Sequence, residues 1–285
     1  MRLQPYRGKV LSVFESAVNI QTEFGIVSIL SNIDCLHPFS CIVGAIQPFP
    51  RLNIHVGDEV ILADEAIQFP ASDLAIDVST ALDLELSVDV MVNLFIPIDL
   101  AIRMRHLKRV IESSAEPEDM SALILDDRSN PYCELIRPRM AALSLAVKEQ
   151  NLEACREAAA SISGCGIGLT PSSDDLLCGY LSAYAALSLS LGRRRERILE
   201  LTREMAFAAA QHTTELSAAF LLQSGEGLVS EDVFQLLRCI FSDIAYPMLT
   251  GYATKVASYG STSGTDTLTG IYLAITQQYG GTDID

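Results

Sequence analysis

Between Leu176 and Leu191 the chain runs 16 residues without a charged side chain, and Arg193, Arg194, Arg195 and Arg197 follow at once. A bilayer span needs roughly 20 apolar residues, and this run is interrupted by Gly179, Ser182, Ser188 and Ser190. The segment therefore predicts a helix buried at the centre of a domain rather than a membrane anchor. Whatever else the chain builds must cover that helix on every side.

The residues after about 88 are suited to that task. Apolar positions recur at three and four, as in Ile96, Leu100, Met104 and Leu107, or Leu177, Leu181, Tyr184 and Leu187, which is helical spacing. Further helices are expected around 151–162, 175–191, 194–222, 230–242, 244–258 and 265–279. The Ser-, Pro- and acid-rich stretch from Glu116 to Pro131 reads as a surface connection before a helix starting near Arg139.

The residues before 88 have another texture. Short β-branched runs, Val10 to Phe14, Ile26 to Leu30 and Glu59 to Leu62, are separated by Gly, Asn, Asp and Pro, with Gly57-Asp58 as a turn. The expected fold class is α+β: a small β-rich N-terminal domain over 1–88, then a mostly α-helical domain over 89–285. Strand spacing alone leaves barrel and sandwich open.

Composition narrows the partners. A formal charge of −16 repels phosphodiester backbones and anionic lipid, so neither nucleic acid nor membrane is expected. The seven cysteines (Cys35, Cys41, Cys133, Cys155, Cys165, Cys178 and Cys239) form no closely spaced zinc pair. Their odd number suits a reduced cytoplasm, and Met1 to Pro5 begins no apolar signal core.

Residues 164–175 read Gly-Cys-Gly-Ile-Gly-Leu-Thr-Pro-Ser-Ser-Asp-Asp, directly before the uncharged helix. Alternate glycines let backbone N–H groups approach a ligand, and a helix start adds free donors and a positive dipole end. That is an anion cradle. Neither the dinucleotide fingerprint nor the Walker spacing is present, and the loop has no lysine, so a small phosphate, carboxylate or carbamoyl group is the better guest. The plain alternative is a capping box, with the Ser172 hydroxyl taking the amide of Asp175 and the Asp175 carboxylate returning to the amide of Ser172.

A partial repeat favours function. Thr262 to Gly270 aligns without gaps on Pro171 to Gly179, with Ser, Asp, Leu and Gly shared at four of nine positions. Glycine inside a helix costs about 1 kcal/mol relative to alanine, so two glycines in register predict close helix–helix approach. The two helix starts then face one pocket. Asp174 has no acidic counterpart, since Thr265 occupies its place.

A carboxylate beside an anion cradle is repulsive, by on the order of 4 kcal/mol at about 4 Å. Two arrangements relieve this: Mg²⁺ held by Asp174 or Asp175 together with a phosphate, or a ligand whose NH₂ donates to the carboxylate. A third patch, His212 to Ser217, interrupts an alanine-rich helix, with Thr213 and Ser217 on one face. Its hydroxyls either line a pocket or bond back to the preceding turn. His37, His55 and His106 stand without companions. Cys165 lies in the glycine loop, where a helix end would lower a thiol pKa and make a nucleophile.

The stretch Gly168-Leu169-Thr170-Pro171-Ser172-Ser173-Asp174-Asp175-Leu176-Leu177-Cys178-Gly179 resembles the GLTPSGDD hallmark of a bacterial family that includes the AllH subunit of oxamate carbamoyltransferase. Thr213-Thr214 with Ser217, and Gly260 to Gly270, match further pieces in order. Ser173 replaces the family's usual glycine, and Ser261 stands where many members carry histidine.

The resemblance implies a cytoplasmic subunit of a multi-protein transferase in allantoin breakdown, where oxalurate and phosphate give oxamate and carbamoyl phosphate. Asp174, Asp175 and Asp266 are then the expected catalytic carboxylates. Gly166 and Gly168 cradle the anion, while Thr170, Ser172, Ser173, Thr213, Thr214, Ser217, Ser263 and Gly264 complete the ligand site. The alternatives are a non-catalytic subunit that binds a small metabolite or acts as scaffold, the carboxylase label some members carry, and turns that are only caps.

Overall fold

In the computed structural model the described residues are 6–279, apart from 24, 32–35, 45–47 and 92; Met1 to Pro5 and Cys35 lie outside them. The fold is the expected α+β arrangement, a strand-rich N-terminal region followed by helices. Contacts divide the chain into two compact units, Met1–Glu85 and Leu86–Asp285.

The first unit is one curled seven-stranded sheet: β1 (Tyr6–Val13), β2 (Ala17–Thr22), β3 (Gly25–Leu30), β4 (Ser40–Ile42), β5 (Glu59–Leu62), β6 (Ala66–Phe69) and β7 (Leu74–Asp77). Their order across the sheet is β4-β3-β2-β1-β5-β6-β7. Neighbours are antiparallel except β3 and β4. Alternation puts one face inward, and Val10, Val18, Ile20, Val60, Leu62, Ile67 and Phe69 close over Phe49 as a core of their own. Gly57, at φ +92°, makes the predicted turn, and its N–H donates to the Val10 carbonyl.

The second unit is helical: α1 (Leu100–Ser114), α2 (Pro131–Lys148), α3 (Leu152–Ile162), α4 (Ser172–Ser190), α5 (Arg195–Ala210), α6 (Glu215–Gly225), α7 (Glu231–Ile240), α8 (Tyr246–Ala257) and α9 (Ser263–Tyr279). The uncharged run is α4, and it is central. From Ser172 to Ser188 every residue but Cys178 is buried. Each fully enclosed leucine there contributes about 1.5–3 kcal/mol. No helix among the described residues is long and apolar enough to cross a membrane.

Three expectations are corrected. Helix α2 starts at Pro131, not near Arg139, because Asn130 caps it by accepting the Cys133 N–H at 2.8 Å and proline suits the first helical position. The expected 194–222 helix is two, since the Thr214 side chain accepts the Ser217 N–H and starts α6 afresh. The Glu116–Pro131 connection is not all surface. Its turn Met120–Leu123 is buried, capped by Asp119, whose carboxylate accepts the Ser121 N–H at 2.9 Å.

Candidate functional site

The repeat seen in the sequence is a crossing in space. A Cβ built on Gly179 would lie 2.0 Å from the Thr267 carbonyl oxygen, and one on Gly270 would lie 1.9 Å from that of Leu176. Thr267 is the repeat counterpart of Leu176, so the two contacts are related by a local two-fold axis. Only glycine permits this approach, and α4 and α9 touch backbone to backbone there.

The same exchange operates at the helix starts. Thr170 Oγ1 and Ser263 Oγ lie 3.2 Å apart, and Ser172 Oγ and Thr262 Oγ1 lie 3.4 Å apart. The hydroxyls of Ser263 and Thr170 face Asp175, while those of Ser172 and Thr262 face Asp266. Each helix thus presents its serine to the other's aspartate. The capping box is not formed: Pro171 occupies the cap position of α4 without a side-chain bond, and Ser172 turns outward to α9.

Burial raises both carboxyls. Asp175 is pushed well above the usual carboxylate range, chiefly by desolvation and further by Asp266 and Asp174. Asp266 rises to about 7, again mainly by desolvation, against the pull of the Met120 N–H that it accepts at 2.6 Å. In each carboxyl one buried oxygen, Oδ2, has no hydrogen bond of ordinary geometry. The neighbouring hydroxyls lower these pKa values without satisfying those atoms.

Asp174, one residue from Asp175, is just as buried but fully hydrogen-bonded. Its Oδ1 accepts from Ser163 Oγ and the Gly164 N–H, both at 2.8 Å. Its Oδ2 accepts from Ser217 Oγ at 2.8 Å and from the Thr213 hydroxyl. Asp174 therefore fastens the glycine loop and the start of α6 onto α4. Thr213 and Ser217 serve this carboxylate, and Mg²⁺ at Asp174 would have to displace four donors. No group of three or more His, Cys, Asp or Glu among the described residues is placed to hold a metal ion.

The remaining predicted residues locate the open side. Ser173 is buried and tied to the loop twice, its Oγ accepting from the Cys165 N–H and its own N–H donating to the Cys165 carbonyl. The N–H groups of Asp174 and Asp175 go to the Pro171 carbonyl. The amides of Ser173, Asp174 and Asp175 are thus spent on its own loop. Free donors lie before the helix instead: from Gly166 to Thr170, no backbone N–H has a partner among the described residues. Gly166, at φ +132°, packs its backbone against the Ser172 amide, and Gly168, at φ +95°, faces open space. Thr214 holds this segment by donating to the Leu169 carbonyl at 2.6 Å. Gly264 is a packing glycine, its built Cβ meeting the Val256 carbonyl oxygen at 1.9 Å.

Two further side chains bear on the site. Burial pushes the Cys165 thiol up, which opposes the thiolate a nucleophile needs. Asp119 escapes a reading of the sequence because it sits in a Ser- and Pro-rich stretch. It is fully buried and its charge helps raise Asp266. The signal present is its spacing to Ser121, that of a capping acid.

Two family models match the chain. The model described as oxamate carbamoyltransferase subunit AllH matches residues 162–275, and that of the AllH family N-terminal domain matches residues 1–83. The chain belongs to the AllH family. The AllH match contains Asp174, Asp175, Asp266 and both crossing glycines. The family is named for a subunit, a component of a multi-protein assembly. No solved structure matches the chain.

Proposed function

We propose that this AllH-family chain is the subunit of a carbamoyltransferase complex that holds a small carbamoyl-bearing anion between the Gly166–Thr170 amides and Asp175. The observation that supports it is the buried pair Asp175 and Asp266, each with a partnerless Oδ2, beside a run of free amides. A raised pKa favours the protonated form of a carboxyl. That form donates an O–H and accepts from an NH₂, so the repulsion expected of a carboxylate beside an anion is relieved.

The family's name points to oxamate, and the fitting reaction belongs to allantoin and purine catabolism. A phosphate oxygen attacks the ureido carbon of oxalurate, and the C–N bond to the oxamate nitrogen breaks. The phosphate proton ends on that nitrogen, giving carbamoyl phosphate and oxamate. The free amides would stabilise the tetrahedral oxyanion. Asp175, with 9 % exposure the more accessible acid, would pass the proton, held in place by Thr170 and Ser263. Asp266, wholly enclosed, acts through Ser172 as a positioning residue.

A second reading, a non-catalytic metabolite-binding or scaffold subunit, draws on Ile167 and Leu169. They are 52 % and 57 % exposed on the same loop, which suits a partner surface over the site.

A thermal-shift series with phosphate, carbamoyl phosphate, oxamate and Mg²⁺ tests binding. A ligand at about 100 times its Kd adds roughly 2.7 kcal/mol, and no response to any of them removes the proposal. Asp175→Asn in the assembled complex separates the readings: abolished carbamoyl phosphate formation with normal assembly supports the transferase, and unchanged turnover supports the scaffold.

A further inference from the structure

At the opposite end of α4 the arginine cluster noted in the sequence lines a separate cavity of about 600 Å³. Helix α4 ends in a Gly192 turn at φ +70°, with the Gly192 N–H on the Leu189 carbonyl and the Arg193 N–H on that of Ser188. That closure throws Arg193 and Arg194 to one side, and Arg194 then caps α5 with its backbone alone. One turn on, Arg197 joins them around the same opening.

Three guanidiniums face one space in a chain of net charge −16, and few acids answer them. Arg194 reaches Glu196 at 3.7 Å, where both side chains are largely exposed, an arrangement worth little. The Arg193 guanidinium meets only the Ser188 hydroxyl, at 3.4 Å, and that of Arg197 has no hydrogen bond or ion pair among the described residues. Glu200 is the one carboxylate in the lining.

The independent sign of a ligand is Tyr184. Its side chain is 3 % exposed and lines this cavity, yet its hydroxyl makes no hydrogen bond among the described residues. The ring is enclosed while the hydroxyl reaches the cavity surface, a donor held in place and open to a guest. Leu152, Ile198 and Leu201 supply an apolar wall beside it.

We propose that this cavity is a second anion site, which takes the phosphate group of a small molecule, with Arg193, Arg194 and Arg197 as its cations and the Tyr184 hydroxyl as a donor from its wall. Guanidiniums suit phosphate because their paired N–H groups match its oxygens. The site stands apart from the α4 and α9 helix starts, and its existence does not depend on the function proposed for them.

Arginine modification by phenylglyoxal, mapped by peptide mass spectrometry on the full chain, reads the site directly. Inorganic phosphate or glycerol 1-phosphate should protect Arg193, Arg194 and Arg197, while exposed Arg51 reacts equally with and without them. Protection by free phosphate as strong as by the ester identifies phosphate itself as the guest, and protection at much lower ester concentration identifies a phosphomonoester. Equal modification in phosphate, ester and chloride of the same ionic strength overturns the proposal. Calorimetric titration of the Arg193→Gln, Arg197→Gln double variant with the same probes should show about tenfold weaker binding. Unchanged affinity would equally overturn it.

Discussion

The starts of α4 and α9 share one plan and have different surroundings. Each offers a serine at its first turn, an aspartate three residues on and a glycine four further, and each aspartate is addressed by the other's serine. Around α9 the plan is sealed: Asp266 is wholly enclosed, the Met120 N–H donates to it, and Thr265 Oγ1 bonds the Ser114 carbonyl at 3.3 Å. Around α4 the loop from Gly166 to Thr170 is left with free amides and partial exposure. One half of the pair is enclosed, and the other lies beneath an exposed loop.

The glycine crossing should break first. Gly179→Ala or Gly270→Ala drives a methyl to 2.0 or 1.9 Å from a carbonyl oxygen, and each should cost on the order of 5 kcal/mol or unfold the helical unit in chemical denaturation. Similar losses from the two changes would support the local two-fold, whereas a mild effect at either would refute it.

Asp174→Ala comes next. It strands four donors and should cost about 3–5 kcal/mol by urea melts. Its neighbour gives the contrast, since Asp175→Asn at pH 8 removes a carboxyl that burial penalises and should stay within about 1 kcal/mol of the parent. A large loss at 175 and a small one at 174 would exchange the roles of the two carboxyls, making 175 the fastener and 174 the ligand group.

The sealed acid carries a pH signature. With its pKa raised to about 7, folded Asp266 keeps a proton that the unfolded chain releases near pH 4. Stability therefore falls as pH rises from about 4 to 7, by on the order of 4 kcal/mol, and levels off above. Asp266→Asn should flatten that part of the curve of melting temperature against pH, and a slope that persists would assign it to other groups.

The smallest effect has the opposite sign. Gly251 lies exposed inside α8 with nothing near a built Cβ, so Gly251→Ala should stabilise by up to about 1 kcal/mol. A loss there would mean that glycine cost in this protein is not set by helix contact.

Much of this is legible in the sequence because it depends on local pattern. The uncharged run requires a buried α4, and matched glycines require two helices in contact. The change of periodicity near 88 separates strands from helices. The roles of Asp174 and Asp175 are not legible. Adjacent helical residues point about 100° apart, and which of them meets Ser163, Thr213 and Ser217 depends on segments that approach from elsewhere in the chain. Pro138 has the chemistry of a helix boundary, yet it lies inside α2, and it draws attention away from the true start at Asn130-Pro131. The alanine run of α5 conceals the restart that Thr214 makes, although a threonine three residues before Ser217 is an ordinary cap signal.

The order of synthesis gives the crossing a further consequence. The buried central helix α4 emerges from the ribosome long before Ser263–Tyr279, the helix that covers it along the glycine stripe. At translation rates of about 5–20 residues per second, that face waits seconds for its cover while α5 to α8 are made. Until Gly270 is made, only loose collapse of the intervening helices can shield that face from water.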